Sequence, residues 1–461
     1  MSARGRGQGA VALVFAAAVV AGGVGLDRGL GVRAPAPAPS SSTDSGAWLC
    51  PHGGGPGWEG RLYLANPGTR TSTVRVSTMT QKSSAPVRTV TVDPGTTTEV
   101  IVPASAREAS TYVEYFGGWV AAGWLTVTST PQGTGVGAES CAPATDASTW
   151  YTANGSTPKG AKASLVILNP YGSNAIFDVV LYAADRAPIH ESALTDVVLK
   201  PHRSMFVPIQ TLLPLEPAVG SEIDVHAGRV GVASVDASIQ NGVGAILGTT
   251  AQVSSLTVPL LGGSGQRSLS LIVPGAAGAR FDGSNLGETA SQPAGGLSGV
   301  AQDPQTSQAY PVATSGASGL RLVEQVGSTG TFVASVTSMG EGSDFAATGG
   351  AAPAGQWVVL PTVAGDPSKP GLVITNPGTQ PVSVTLHALS AAGPNDVTVS
   401  ISAGSSASAP AGFLTAAGNV GILVTATTGQ VIAAGASESL GIKGIAGYAI
   451  AAGVPVPLVG P

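Results

Sequence analysis

Few residues in this chain stand where side-chain chemistry could be done. "FDGSNLGE" gathers Asp282, Asn285 and Glu288, oxygen ligands of the kind that hold calcium in exported proteins. Their spacing lacks the alternating ligand pattern of a calcium loop, so the stretch reads equally as a solvated turn. Trp58 stands in the Gly-rich loop "HGGGPGWEG", where an exposed indole would stack on a sugar ring. Trp119 and Trp124, with Tyr112, Tyr115 and Phe116, read as core aromatics of a β-sandwich. "GASES" at 435–439 lacks the second glycine of a nucleophile elbow. The histidines, His52, His190, His202, His226 and His387, follow one another at intervals of 12 to 161 residues, so a zinc site would have to be assembled at long range. No phosphate-cradling glycine motif occurs, and no local pair of carboxylates is nominated for glycoside hydrolysis. The expectation is a non-catalytic protein without cofactor, with a hydrolase as the least favoured reading.

Composition points the same way. Only 10% of the 461 residues are charged, against about 25% in an average soluble domain. The net charge of −5 is thinly spread, and no basic patch exists to track phosphates, which argues against nucleic acid. Arg4 and Arg6 precede an uncharged segment at 9–26, "GAVALVFAAAVVAGGVGL". That segment is long enough to span a bilayer and also resembles a signal-peptide core. Either way the body is exported: anchored in the cytoplasmic membrane by its N-terminus, or secreted. A Pro/Ala/Ser linker follows at 34–47. In an exported chain the two cysteines, Cys50 and Cys141, are expected to form a disulfide.

The elements that would position these groups repeat. "LYLANPG" around Asn66 returns as "LVILNPYG" around Asn169 and "GLVITNPG" around Asn376, and "LSLIVPG" puts Val273 in the Asn place. The successive spacings are 103, 104 and 103 residues. Trp48, Trp150, Leu256 and Trp357 mark an opening strand in each repeat, and a second turn follows three of the corners. Asn-Pro-Gly suits a turn, with Pro presetting φ and Gly accepting a positive one. Asn66, Asn169 and Asn376 therefore read as structural turn marks. Short alternating runs of Val, Leu, Ile and Thr fill each repeat, and no segment after residue 26 shows a capped helical stripe.

The predicted fold is all-β: a tandem array of four immunoglobulin-like β-sandwich repeats behind an N-terminal anchor or signal helix at 1–33. The repeats fall at 48–149, 150–255, 256–356 and 357–461, and polar residues at 278–310 make the third look degenerate. The alternative is a closed β ring or propeller, because the C-terminal "GVPVPLVGP" resembles the opening of a fifth repeat.

The arginine-flanked apolar segment, the cysteine pair bracketing the first repeat, "CAPATDASTWYTANGS" and the recurring L-x-L-x-N-P resemble an actinobacterial family of exported proteins carrying domain of unknown function 5719. The resemblance would cover nearly the whole chain. It implies an envelope protein of no assigned activity, from a family tending to be encoded near glycosyltransferase and mannose-metabolism genes. The expected role is a scaffold or accessory factor in envelope polysaccharide assembly, with a glycosyltransferase or the polysaccharide as partner. A glycan-binding or adhesin-like module using Trp58 is the alternative.

Overall fold

Where β-branched residues alternate with polar ones, the chain forms strands. Ser72–Met79 (STVRVSTM) buries Val74, Val76 and Met79 and turns Thr73 and Arg75 to water, the period-two pattern of a half-buried strand. The computed structural model describes residues 44–130, 133–153, 155–238, 242–260, 266–313, 318–339, 345–362, 367–393, 395–439 and 447–457. The expected membrane segment at 9–26 and the linker as far as residue 43 lie outside the described residues. Among the described residues no helix is long and apolar enough to cross a membrane. Two short helices are α1 (Ile209–Leu212) and α2 (Ala411–Ala417). The sequence reading missed α2. It starts after Pro410, buries Phe413, Leu414 and Ala417, and ends at Gly418 with φ 71°.

The first repeat comprises β1 (Ser45–Cys50), β2 (Glu59–Asn66), β3 (Ser72–Met79), β4 (Ser84–Val92), β5 (Thr96–Pro103), β6 (Ser110–Phe116), β7 (Ala121–Thr130), β8 (Gly133–Ser140) and the short β9 (Ala142–Pro143). One sheet runs β4-β3-β6-β1-β9 and the other β5-β2-β7-β8, with antiparallel pairing throughout. Leu62 and Leu64 from one sheet, and Val74, Val76 and Val113 from the other, share one buried core. Three further sandwiches follow this plan. Ala161–Asn169, Arg267–Val273 and Pro367–Asn376 each lie between two antiparallel partners, as β2 lies between β5 and β7.

The third repeat forms both sheets, unlike the degenerate copy its composition suggested. Ala279–Leu286 pairs with Ser291–Pro293, Val300–Gln302 and Gly319–Glu324. Its ARFDGSNL keeps the period of two over Ala279, Phe281 and Gly283, all buried, and Leu286 is buried out of that phase. Small and polar residues hide that period from a reading that looks for Val and Ile.

The four sandwiches also close into a ring. One edge strand of each four-stranded sheet, β8, Gly242–Leu247, Phe345–Gly349 and Gly447–Ala452, packs beside its counterparts in both neighbouring repeats, and the fourth returns to β8. The sheets themselves remain open at their edges. Small residues permit the approach at the axis: a Cβ on Gly137 would lie 2.9 Å from Val243 Cγ1, and one on Gly244 would lie 2.5 Å from Phe345 Cε2. The C-terminal Val454–Pro455 pairs with Gln356–Val359 of its own repeat. Val454 nevertheless buries in a core shared with the first repeat.

A hydroxyl residue ties each seam at the same register. Ser204 N–H donates to Thr80 O at 3.2 Å, Ser307 N–H to Ala183 O at 3.2 Å and Ser406 N–H to Gly287 O at 2.9 Å. Thr97 closes the fourth seam: its hydroxyl donates to Leu389 O at 3.0 Å and accepts Gly421 N–H at 2.8 Å.

Candidate functional site

The repeated asparagines sit inside the fold. Asn66 is buried; its Nδ2 donates to Arg70 O at 2.7 Å and Val92 O at 3.0 Å, and its Oδ1 accepts Gly68 N–H at 2.9 Å. Asn169 makes the same bonds to Ser173 O, Leu199 O and Tyr171 N–H, and Asn376 to Gln380 O, Ile401 O and Gly378 N–H. One amide thus closes the corner and ties it to the second turn. Every hydrogen-bonding group of the amide that could meet a ligand is turned inward.

In the third repeat Val273 takes the Asn register, opposite Thr306, and Gln302 takes the register of Val92, Leu199 and Ile401. Gln302 is buried and donates to Leu271 O at 3.1 Å and Thr306 O at 3.0 Å. Amide and apolar side chain have changed places across the pair. Gln305 follows with φ 57°, where the other repeats have Gly95 at 66°, His202 at 54° and Gly404 at 59°. The third repeat therefore has its second turn, in "DPQTSQ".

Trp58 lies at a cleft between the first two repeats. One wall is the loop after β1. Trp58 N–H donates to Gly55 O at 3.0 Å, and Gly55 N–H to Ala104 O at 2.8 Å. A Cβ on Gly54 would meet Ala104 O at 2.2 Å, so the loop can lie this close to its neighbour only with glycine there. The other wall is the second repeat, contributing Lys162, Ser164 and Phe206 from a sheet and Gln210 from α1. The cleft encloses about 380 Å³, within the roughly 300–1,000 Å³ of ligand pockets, which favour such junctions. Arg107 holds its guanidinium 5.8 Å from the Phe206 ring centroid, a cation–π contact. Gln210 Oε1 is buried and has no hydrogen-bond partner among the described residues.

The disulfide joins Cys50 to Cys141 and closes 91 residues of chain at the base of this loop. Two residues beyond Cys50, His52 is fully buried, and desolvation holds its pKa down at about 4. The ring is therefore neutral at pH 7. Nδ1 lies 2.7 Å from Gly53 O and must donate, leaving Nε2 to accept from Thr111 Oγ1 at 2.9 Å. Burial pushes Glu139 up to about 7, and this carboxyl accepts Ser140 N–H at 2.8 Å and, across the seam, Leu247 N–H at 3.4 Å. Burial likewise pushes Asp236 up to about 8. Strand alternation turns Asp236 away from the cleft that its neighbours Val235 and Ala237 line.

The other sequence candidates separate. Asp282 and Asn285 share the strand Ala279–Leu286 at an odd spacing, which sends their side chains to opposite faces. Asp282 accepts Gly299 N–H at 2.7 Å, and this bond, with the Gln325 amide at 3.1 Å, holds its pKa low. Asn285 Nδ2 donates to Ala313 O at 2.9 Å, and Glu288 lies beyond the strand, exposed. Trp119 and Trp124 are buried. Sequence reading missed another cluster: Asp178, Asp196 and His226 each bring one possible ligand atom within 4.8 Å of the others. There Asp178 already accepts Asp196 N–H at 2.6 Å and meets His226 at 3.1 Å. Only strand pairing brings these distant residues together.

No curated protein matches the chain. A family match covers the second repeat and parts of the first and third, a shorter span than the resemblance suggested: residues 116–302 match the model of a family of unknown function, DUF5719.

Proposed function

We propose that the protein is an exported, non-catalytic binding protein of the cell envelope, an accessory factor to envelope polysaccharide assembly. The Trp58 cleft carries this reading. Its walls come from two repeats and offer an indole, two cations, a hydroxyl and an amide. Such groups bind and orient a glycan, whereas glycoside hydrolysis works through paired carboxylates. The disulfide supports an oxidising compartment. The apolar segment at 9–26 supports attachment at the membrane. With the linker behind it, the ring would stand off the bilayer and hold polysaccharide, or the glycosyltransferase that makes it, near the surface.

Cells producing the full-length chain should carry it in the membrane or secreted fraction, cut by protease added outside spheroplasts. Isolated envelope polysaccharide should co-sediment with it, and Trp58→Ala should weaken that association. A chain confined to the cytosol and sheltered from the protease would overturn the placement. Wild-type co-sedimentation unchanged by Trp58→Ala would overturn the site.

A further inference from the structure

We infer that the Trp58 cleft takes an acidic saccharide, with a sugar ring against the indole and its carboxylate or phosphate drawn to Arg107 and Lys162. The inference rests on the binding role proposed above and adds the chemical class of the ligand. Four observations carry it.

The chain has a net charge of −5, yet the side chains lining this cleft include two cations, Arg107 and Lys162, and no carboxylate. Neither cation forms an ion pair among the described residues, so their charge is available to an anion. Arg107 is steadied over Phe206, which fixes its charge without neutralising it. The second observation is Trp58 itself, half-buried and pinned by the turn to Gly55. An indole so held offers an apolar face at small entropic cost, which suits the C–H face of a sugar. Third, Gln210 Oε1 is a buried acceptor without a donor among the described residues. Leaving it so is costly, and a sugar hydroxyl supplies the missing donor. A small inorganic anion would satisfy the cations but leaves the Trp58 indole without a partner. Fourth, the cleft's volume of about 380 Å³ exceeds what a bare anion would fill.

The test is calorimetric titration of the full-length chain with four probes: a galacturonate tetrasaccharide, glucose phosphate, maltotetraose and inorganic phosphate. At least one of the first two should bind, more weakly as salt rises, and which one binds identifies the anionic group. Trp58→Ala should lower that affinity about tenfold, the worth of one good aromatic contact, while Trp58→Phe keeps most of it. The double variant Arg107→Gln/Lys162→Gln should bind galacturonate tetrasaccharide no better than maltotetraose. Unfolding midpoints of the variants, compared with the parent, separate lost binding from lost folding. If Trp58→Ala does not fold, Lys162→Gln alone serves, because it changes only a partly exposed amine.

Maltotetraose binding as tightly as the better of the two acidic probes would overturn the acidic requirement. Inorganic phosphate binding as tightly as glucose phosphate would overturn the saccharide, and silence with all four probes would overturn the whole inference. The two proposals fail separately: an envelope-located chain that binds no acidic probe loses only this ligand, and a cytosolic chain that binds one loses only its placement.

Discussion

At the scale of single residues, the buried amide is the recurring device. A corner inside a sandwich leaves backbone carbonyls facing inward, and each needs a donor. Asn66, Asn169 and Asn376 supply two N–H groups from one side chain, and Gln302 does the same from a strand of the other sheet. Gln302→Leu should therefore destabilise the protein by about 1–3 kcal/mol, the cost of leaving buried carbonyls unpaired. Val273→Asn alone should also destabilise, because it buries a second amide where one already serves. Combining the two changes should recover stability through a favourable coupling of roughly 0.5–3 kcal/mol. Urea unfolding of the two single variants and the double variant measures this. Strict additivity would show that the exchange of amide and apolar side chain has no energetic meaning.

At the scale of elements, the loop carrying Trp58 has little apolar side-chain mass of its own. It is held by glycines that allow backbone to pass backbone, by neutral His52, and by the disulfide behind it. Closing 91 residues should stabilise the fold by roughly 4–5 kcal/mol if the effect is loop entropy. Cys50→Ser/Cys141→Ser should lower the denaturant midpoint accordingly and loosen the Trp58 wall. Mass spectrometry of exported, non-reduced protein should find the two cysteine peptides joined, and free thiols there would contradict the pairing. The strands were legible where Val, Leu and Ile alternate, as in β3. They were not legible at 279–286, where Gly283 occupies a buried position and the period shows only once the strand is paired.

At the scale of the whole molecule, the main question is whether the fourth seam is like the other three. Thr97 occupies the register of Ser204, Ser307 and Ser406, but its partners, Leu389 and Gly421, come from the far end of the chain. In an open array Thr97 would face water, and Thr97→Val would be nearly silent. In a closed ring it should cost about 1–2 kcal/mol, comparable to Ser204→Ala at the first seam, which removes the bond from the Ser204 hydroxyl to Met79 O at 3.0 Å. Paired denaturation curves of these two variants decide the matter, and a silent Thr97→Val beside a costly Ser204→Ala would open the ring.

The amino-acid sequence by itself determined the strand content, the repeat period of about a hundred residues, the repeated Asn as turn marks and the availability of two cysteines for each other. These follow from local periodicity and from copies in the chain, which a linear reading can see. Only the tertiary structure decided that the array closes, that Asp282 and Asn285 diverge, and that Trp58 faces Lys162 and Gln210 across a seam. Closure depends on the small twist and offset between successive sandwiches, summed over four seams, and no single residue encodes that sum. The cleft depends on two repeats meeting at a set angle. Its six principal side chains are spread from 58 to 210, at distances that carry no motif.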